Sequence, residues 1–239
     1  MRHPALSALL VAALAGPASA ADLILPDAAP WAEETPDHGK KGMAVEIAAA
    51  LQERTGLPLS TTLMPVSRQL ASLRSEGHDF ALTGLLHDLP EQIVILGTGF
   101  ELPMLAVARE DDPPPTLDRL RQLRRVAIVH GGERLLPSDL AKMIAFEEIP
   151  NAAAGLKMLE ARRVDAVLVS SAVLAALGDS SLSERHLGTP QLLFTSRISL
   201  VASAAAASSP EGRALTAAWG EICRDGTVAR ILQRATFGN

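Results

Sequence analysis

The sequence is poor in the residues that staple or decorate small domains. Cys223 is the only cysteine among 239 residues, so no intramolecular disulfide can form and no cysteine-based metal site is available. The histidines are scattered, with no pair one helical turn apart, which makes metal binding a poor expectation. Neither a metal nor a cofactor is expected. Tyrosine is absent and tryptophan occurs at two positions only, so stacking on a bound solute falls to very few side chains. Basic residues do not outnumber acidic ones, and a formal net charge of -5 argues against nucleic acid, whose binding needs a clustered basic surface. Beyond the N-terminus, no run is long and apolar enough to span a bilayer.

What is present is an apolar share of 48%, enough to supply the cores of one large or two small globular domains. Residues 1–20 combine a basic head at Arg2-His3, an apolar run over 5–14 and the small-residue motif Ala18-Ser19-Ala20. That pattern is a secretory signal peptide, too short for a membrane span, with cleavage after Ala20. The mature chain then starts at Ala21. It carries no cysteine at the cleavage point to mark a lipoprotein, and it is expected as a soluble periplasmic monomer with a free thiol at Cys223, a small core residue of a helix.

The stretch 67–92 sets the plan. Leu70 and Leu73 share one helical face, the helix ends at Gly77, and His78-Asp79 turns into the apolar strand Phe80-Ala81-Leu82, which Thr83-Gly84 stops. The unit recurs: Leu156 and Leu159 mark a helix that leads through Arg163-Val164-Asp165 into Ala166-Val167-Leu168-Val169 and Ser170-Ser171. Two α/β halves with small polar residues at strand ends imply two similar lobes facing one cleft. Ligands of open α/β sheets sit beyond the carboxyl ends of strands, which makes Thr83, Gly84 and the segment to Gln92 candidates for a binding mouth.

Other segments fill in the plan. A first strand at Leu23-Ile24-Leu25 precedes Trp31, read equally as a stacking platform and as a lid on the lobe's core. A helix over 43–54 presents Met43, Ile47 and Leu51 on one face and ends at Gly56. A second strand over 60–64 leads to Arg68, which opens the next helix at the same mouth. An apolar run over 93–96, a Gly97-Thr98-Gly99 turn and Glu101-Leu102-Pro103 form the first crossing between lobes. Thr116 caps a short helix. The strand 126–129 ends in His130-Gly131-Gly132-Glu133, where glycines leave backbone N–H groups free to meet an anion. Asn151 caps the helix that feeds the second unit. A loop over 178–190, a strand over 191–194 and a return crossing over 195–198 follow. The alanines 204–207 are expected as a surface linker, Ser209-Pro210 opens the penultimate helix and Thr227 the last. Arg121, Arg124 and Arg125 are expected on solvated faces. The domain plan is thus a signal segment 1–20, one lobe from 21–103 with 199–239, and a second lobe over 104–198.

These features, in this order over nearly the whole mature chain, resemble the bacterial extracellular solute-binding proteins of family 3. The resemblance rests on Pro30-Trp31 after the first strand, Gly42-Met43-Ala44-Val45-Glu46-Ile47 opening the first helix, and the helix-Gly-His-Asp-strand unit. It continues with Leu120-Arg121-Gln122-Leu123 before Val126-Ala127-Ile128-Val129-His130-Gly131, then Arg163-Val164-Asp165-Ala166 and Asp225-Gly226-Thr227. It implies an α/β, two-lobed type II periplasmic-binding-protein fold, each lobe a mostly parallel sheet flanked by helices, with the ligand cleft between. It also implies capture of a small polar solute by lobe closure for an ABC permease in the inner membrane, and no catalysis.

The family's ligand clamp is not reproduced. In its amino-acid-binding members an Arg within a Thr-Pro-Glu-Arg-like sequence clasps the ligand carboxylate. Here the matching piece is Leu89-Pro90-Glu91-Gln92, which puts Gln92 at the Arg position, or Glu91 if no insertion is allowed. No Lys or Arg occurs between Arg74 and Arg109. The family's carboxylate-binding hydroxyl falls at Gly132 or Glu133, and its amine-binding Asp at Ser170. A buried ion left unpaired is costly, so a standard zwitterion held in the standard way is disfavoured. Arg68 is then the one basic residue that can be placed at a first-lobe strand end, as an anchor for an anionic group or as a surface Arg. Two alternatives accompany the transport reading: a sensor or accessory protein of the same fold, and a dehydratase-like enzyme. The enzyme would need a shielded acid such as Glu91, Glu133 or His130 beside a cation.

Overall fold

The computed structural model describes residues 20–75, 77–84, 89–177 and 184–237; the expected signal segment, apart from Ala20, lies outside them. The first part of the chain forms β1 (Ala21–Pro26), the small hairpin β2 (Glu33–Glu34) and β3 (Lys40–Lys41), α1 (Met43–Thr55), β4 (Leu59–Met64), α2 (Val66–Ser75) and β5 (Phe80–Gly84). The long β6 (Ile93–Val107) leads to α3 (Leu117–Leu120), β7 (Val126–Val129), a 3-10 turn at Gly132–Leu135, α4 (Ser138–Met143), β8 (Phe146–Ile149), α5 (Ala152–Glu160), β9 (Ala166–Ser170) and α6 (Ser171–Leu177). A second long strand, β10 (Gln191–Ser203), precedes α7 (Ala204–Ala207), α8 (Pro210–Arg224) and α9 (Thr227–Phe237).

All strands but the hairpin join in one sheet, ordered β4-β1-β5-β10-β6-β9-β7-β8. β1 runs parallel to β4 and β5, and β7 runs parallel to β8 and β9. Each end of the sheet is therefore a parallel unit that helices must cover on both faces. Between the units, β10 pairs antiparallel with β5 over 198–202, β6 pairs antiparallel with β9 over 104–107, and the two long strands pair with each other. The two lobes share their hydrogen-bonded backbone through β6 and β10.

Sequence chemistry explains the pieces. β5 is buried at every residue, as a central strand covered on both faces should be, which is why it reads as a short continuous apolar run. α1 buries Met43, Ala44, Ile47, Ala48 and Leu51, one stripe of its surface, and stops at Gly56 in the left-handed conformation with φ 68°. Thr116, Asn151 and Ser209 each accept a hydrogen bond from a backbone N–H in the first turn of the helix they cap. On one face of the first lobe's sheet, Leu23, Leu25, Phe80 and Leu82 meet Met43, Ile47, Leu215, Trp219 and Ile222. On the other face, Ile24, Ala81 and Val201 meet Leu70 and Leu73 of α2. The second lobe has a cluster on each face too, one built around Val167, Leu156 and Leu159 and the other around Ile128, Leu168, Leu136 and Leu140. The thiol of Cys223 lies half-buried beside the first-lobe core on α8, and burial pushes it up to about 11.

Three expectations are corrected. Gly97-Thr98-Gly99 is no turn but the interior of β6. A methyl group on Gly97 would stand 2.6 Å from Trp219 Cδ1, and one on Gly99 would stand 2.2 Å from Trp219 Cζ2. The glycines make the bed for an indole. The alanines 204–207 form the short helix α7 rather than a linker, because alanine is the best helix former and Ser203 accepts from Ala206 N as its cap. Thr83 and Gly84 do not stop β5; they are its last two residues. Among the described residues, no helix is long and apolar enough to cross a membrane.

Candidate functional site

Because the strands of each parallel unit point the same way, their carboxyl ends gather at one cavity of about 300 Å³ between the lobes. The first lobe contributes Pro26, Asp27 and Trp31 after β1, Pro65 and Val66 after β4, and Leu82, Thr83 and Gly84 at the end of β5. The second contributes Ile128, Val129, His130, Gly132 and Leu135 around the end of β7, Asn151 at the start of α5, and Leu168, Val169, Ser170 and Val173 around the end of β9. Leu102 and Met104 of β6 and Ile198 of β10 line it where the two long strands pass from lobe to lobe.

Two of the polar lining residues are buried. Thr83 is 2% exposed and its Oγ1 has no hydrogen-bond partner among the described residues. Ser170 is 7% exposed, and its Oγ accepts from Val173 N at 3.4 Å, which leaves the hydroxyl proton to donate. The ionisable lining residues among those described, Asp27 and His130, are both exposed. His130 contacts the Glu148 carboxylate through Nδ1. Trp31 lines the cavity, is buried in the first-lobe core, and stacks on Phe100 with ring centroids 6.1 Å apart and planes 16° from parallel.

The lobes touch across the cleft. Gly131, at φ 77°, packs so closely on the start of α2 that a methyl group there would stand 2.7 Å from Ser67 Cβ and 2.8 Å from Ser67 N. A methyl on Gly84 of β5 would stand 2.4 Å from Leu135 Cδ2 in the 3-10 turn. Glycine at both points lets one lobe's backbone come within contact of the other lobe.

Of the candidate residues, the structure brings Trp31, Thr83, Gly84, Gly132 and Ser170 together around the cavity. Gly131 lies beside it and makes the interlobe contact instead. Glu133 is half-buried in the 3-10 turn and is not among the lining residues. Arg68 is exposed on α2 and outside the lining: the first turn of α2 presents Val66, not Arg68, to the cavity. Gln92 is exposed and at the wrong end of the sheet. Gly84 pairs with Ile198 beside the cavity, whereas Ile93 pairs with Ser203 at the far end of β10, and Gln92 O accepts from Ala204 N there. The segment 85–88 between these points lies outside the described residues. Arg109, the next cation after Arg74, is used structurally: its Nη1 donates to Leu159 O at 3.1 Å and Val164 O at 2.9 Å, and it pairs with Asp112. Glu91, one of the acids an enzyme would need, is exposed. What the sequence left unread is the apolar wall, since Leu102 reads as part of a crossing and Ile128 and Leu168 read as buried strand, none of them as lining.

No protein-family model matches the chain and no curated protein matches it. Solved structures do. An ancestral arginine-binding protein bound to arginine aligns with a TM-score of 0.71 at 17% identity, over 92% of this chain and 98% of that one. The ligand binding core of GluR0 in complex with L-glutamate aligns with a TM-score of 0.74 at 14% identity, over 92% of this chain and 100% of that one. The periplasmic VFT2 domain of Bordetella pertussis BvgS aligns with a TM-score of 0.69 at 19% identity, over 90% and 92%. The fold is therefore the two-lobed type II periplasmic-binding-protein fold, and the cavity is lined from both of its lobes.

Proposed function

We propose that this chain is a periplasmic solute-binding protein. In this reading, residues 21–103 with 199–239 and residues 104–198 form two lobes that close on a small solute, and the protein acts as a binder rather than an enzyme. The observation that carries the reading is the cavity between the lobes, with Gly131 against Ser67 across it. The crossing strands support it: Glu101, Leu102, Pro103 and Met104 pair with Arg197, Ser196, Thr195 and Phe194, and the register slips between Arg197 and Ser199. Two adjacent strands with an irregularity at the crossing form a hinge that can absorb a change in lobe angle. The signal-like segment 1–20 supports a periplasmic location, and an ABC permease in the inner membrane is the partner such a monomer would serve.

The test is native mass spectrometry of protein purified from the periplasm, followed by small-angle scattering. A small molecule released on denaturation, whose return compacts the protein, is the expected result. A protein with no bound mass, and whose scattering stays unchanged across a metabolite library, would sink the reading. Crosslinking in membranes then distinguishes a permease from a sensor as partner.

A further inference from the structure

We infer that the solute this cleft takes is small, uncharged and mainly apolar, held by aliphatic walls and oriented by hydrogen bonds to Thr83 and Ser170. The inference rests on the solute-binding reading above and names its ligand class.

The walls come first. Leu82, Leu102, Met104, Ile128, Leu168 and Ile198 all line the cavity, and each is less than a tenth exposed. They come from both lobes and from both crossing strands, so the apolar character is not confined to one side. The volume of about 300 Å³ corresponds to roughly ten waters at ~30 Å³ each. A molecule with a single six-membered ring fits that space, and contact with apolar walls is its source of affinity.

Charge is what the walls reject. A carboxylate entering this space would shed its hydration, and the one lining residue among those described that can carry positive charge, His130, is exposed and already contacts the Glu148 carboxylate; hydrogen bonds from two hydroxyls do not offset that loss. An ammonium would meet Asp27, but that side chain is exposed and stays hydrated in water, where a single ion pair contributes little. The polar groups that are buried in the lining are neutral. Among the described residues Thr83 Oγ1 has no hydrogen-bond partner, and a buried hydroxyl in that state is satisfied if a small shift of the lining brings it onto an oxygen of the solute. Ser170, ending β9 as Thr83 nearly ends β5, offers a second hydroxyl from the other lobe. One oxygen on an otherwise apolar molecule can engage either.

Three isosteres test this directly: cyclohexanol, cyclohexylammonium and cyclohexanecarboxylate at neutral pH, by titration calorimetry against the full mature chain. Cyclohexanol should bind at least tenfold more tightly than either charged relative. Thr83→Val, close in shape to threonine, should weaken cyclohexanol by about fivefold, the loss of one neutral hydrogen bond, with an unchanged melting temperature. A charged isostere that binds as tightly as cyclohexanol overturns the inference, whatever Thr83→Val does. An unchanged cyclohexanol affinity in a folded Thr83→Val overturns the orienting role. If the cyclohexane probes fail while L-arginine or L-glutamate binds, the ligand class is wrong and the solute-binding reading stands. If all five fail, the ligand class falls, and the co-purification experiment alone decides the broader reading.

Discussion

The first lobe is covered by α1, of 13 residues, and α8, of 15, and its core holds Trp219, Phe80 and Trp31. The second lobe relies on α4, α5 and α6, of 6, 9 and 7 residues, and its buried side chains are aliphatic. The difference extends to the crossings. Leu102, Met104 and Ile198 belong to the first lobe's cluster, as does Ala172 of α6, and α9 packs on α1 and α8 and also on α6. The heavier core therefore reaches through the crossing strands and into the second lobe. If the lobes close on a solute as proposed, the heavier first lobe is the anchor and the lighter one is expected to move. Large aromatic burial is what fixes the anchor, since each such ring removes far more apolar surface from water than an aliphatic side chain does.

Removing the anchor is the strongest test of that asymmetry. Trp219→Ala deletes an indole that is 1% exposed and that Gly97 and Gly99 are shaped to receive. It should cost about 3–5 kcal/mol, as other large-to-small aromatic core changes do. At roughly 2–4 °C per kcal/mol for a chain of this size, the melting temperature should fall by roughly 10 °C. Leu156→Ala, at a fully buried position of the second lobe, should cost about 2–5 kcal/mol, and the loss should stay local. Amide exchange would then rise in α5 and β9 while β1 and β5 keep their protection. Equal loss of protection in both lobes from Leu156→Ala would mean that the lobes unfold as one and that the asymmetry is only one of size.

A smaller effect is expected where the lobes meet. Gly131→Ala places a methyl against Ser67 and forces a non-glycine residue into φ 77°, a conformation that costs about 1–2 kcal/mol for an L-residue. If the lobes close on a solute as proposed, the contact seen here belongs to the closed arrangement, and closure should suffer more than folding does. Cyclohexanol affinity should fall by about tenfold, with scattering shifted toward a more open molecule. A variant that binds and compacts like the parent would show that the Gly131–Ser67 contact is not part of closure.

The elements that were plain in the sequence are the ones whose chemistry is local. The stripe Met43, Ile47 and Leu51, the caps Thr116, Asn151 and Ser209, and the apolar runs of β7 and β9 each follow from neighbours a few residues away. β8 was not legible because an edge strand carrying Glu147 and Glu148 looks like polar loop; charge on an edge guards against pairing with another chain. α6 was hidden because Ser170 and Ser171 read as a strand end, and only the fold shows Ser170 capping the helix that follows. Gly97 and Gly99 read as a turn because the residue that needs them, Trp219, is far along the chain. The site divides the same way. Thr83 and Ser170 were visible as small polar residues at strand ends, but the apolar walls were not, since a leucine lining a cavity and a leucine in a core are the same letter. Gln92 was misplaced because a motif alignment does not fix strand register: its neighbour Ile93 pairs with Ser203, at the end of β10 away from the cavity.

The smallest effect is expected at Arg68, and there the near-zero result is the informative one. Arg68 is exposed on α2, with its backbone N donating to Pro65 O at 2.9 Å, and its neighbour Val66, not Arg68 itself, lines the cavity. Arg68→Ala should change stability by no more than about 0.5 kcal/mol, the usual range for a surface substitution away from special contacts. Affinity for cyclohexanol should not move. A cleft whose ligand is neutral has no use for a guanidinium at its edge, so the same variant should also leave the co-purifying solute in place. If instead Arg68→Ala lost that solute or weakened an anionic ligand tenfold, the guanidinium would have to swing into the cavity on closure. The first lobe would then supply charge as well as rigidity, and the contrast between a rigid lobe and a mobile one would have to be redrawn as one between a charged wall and a neutral wall.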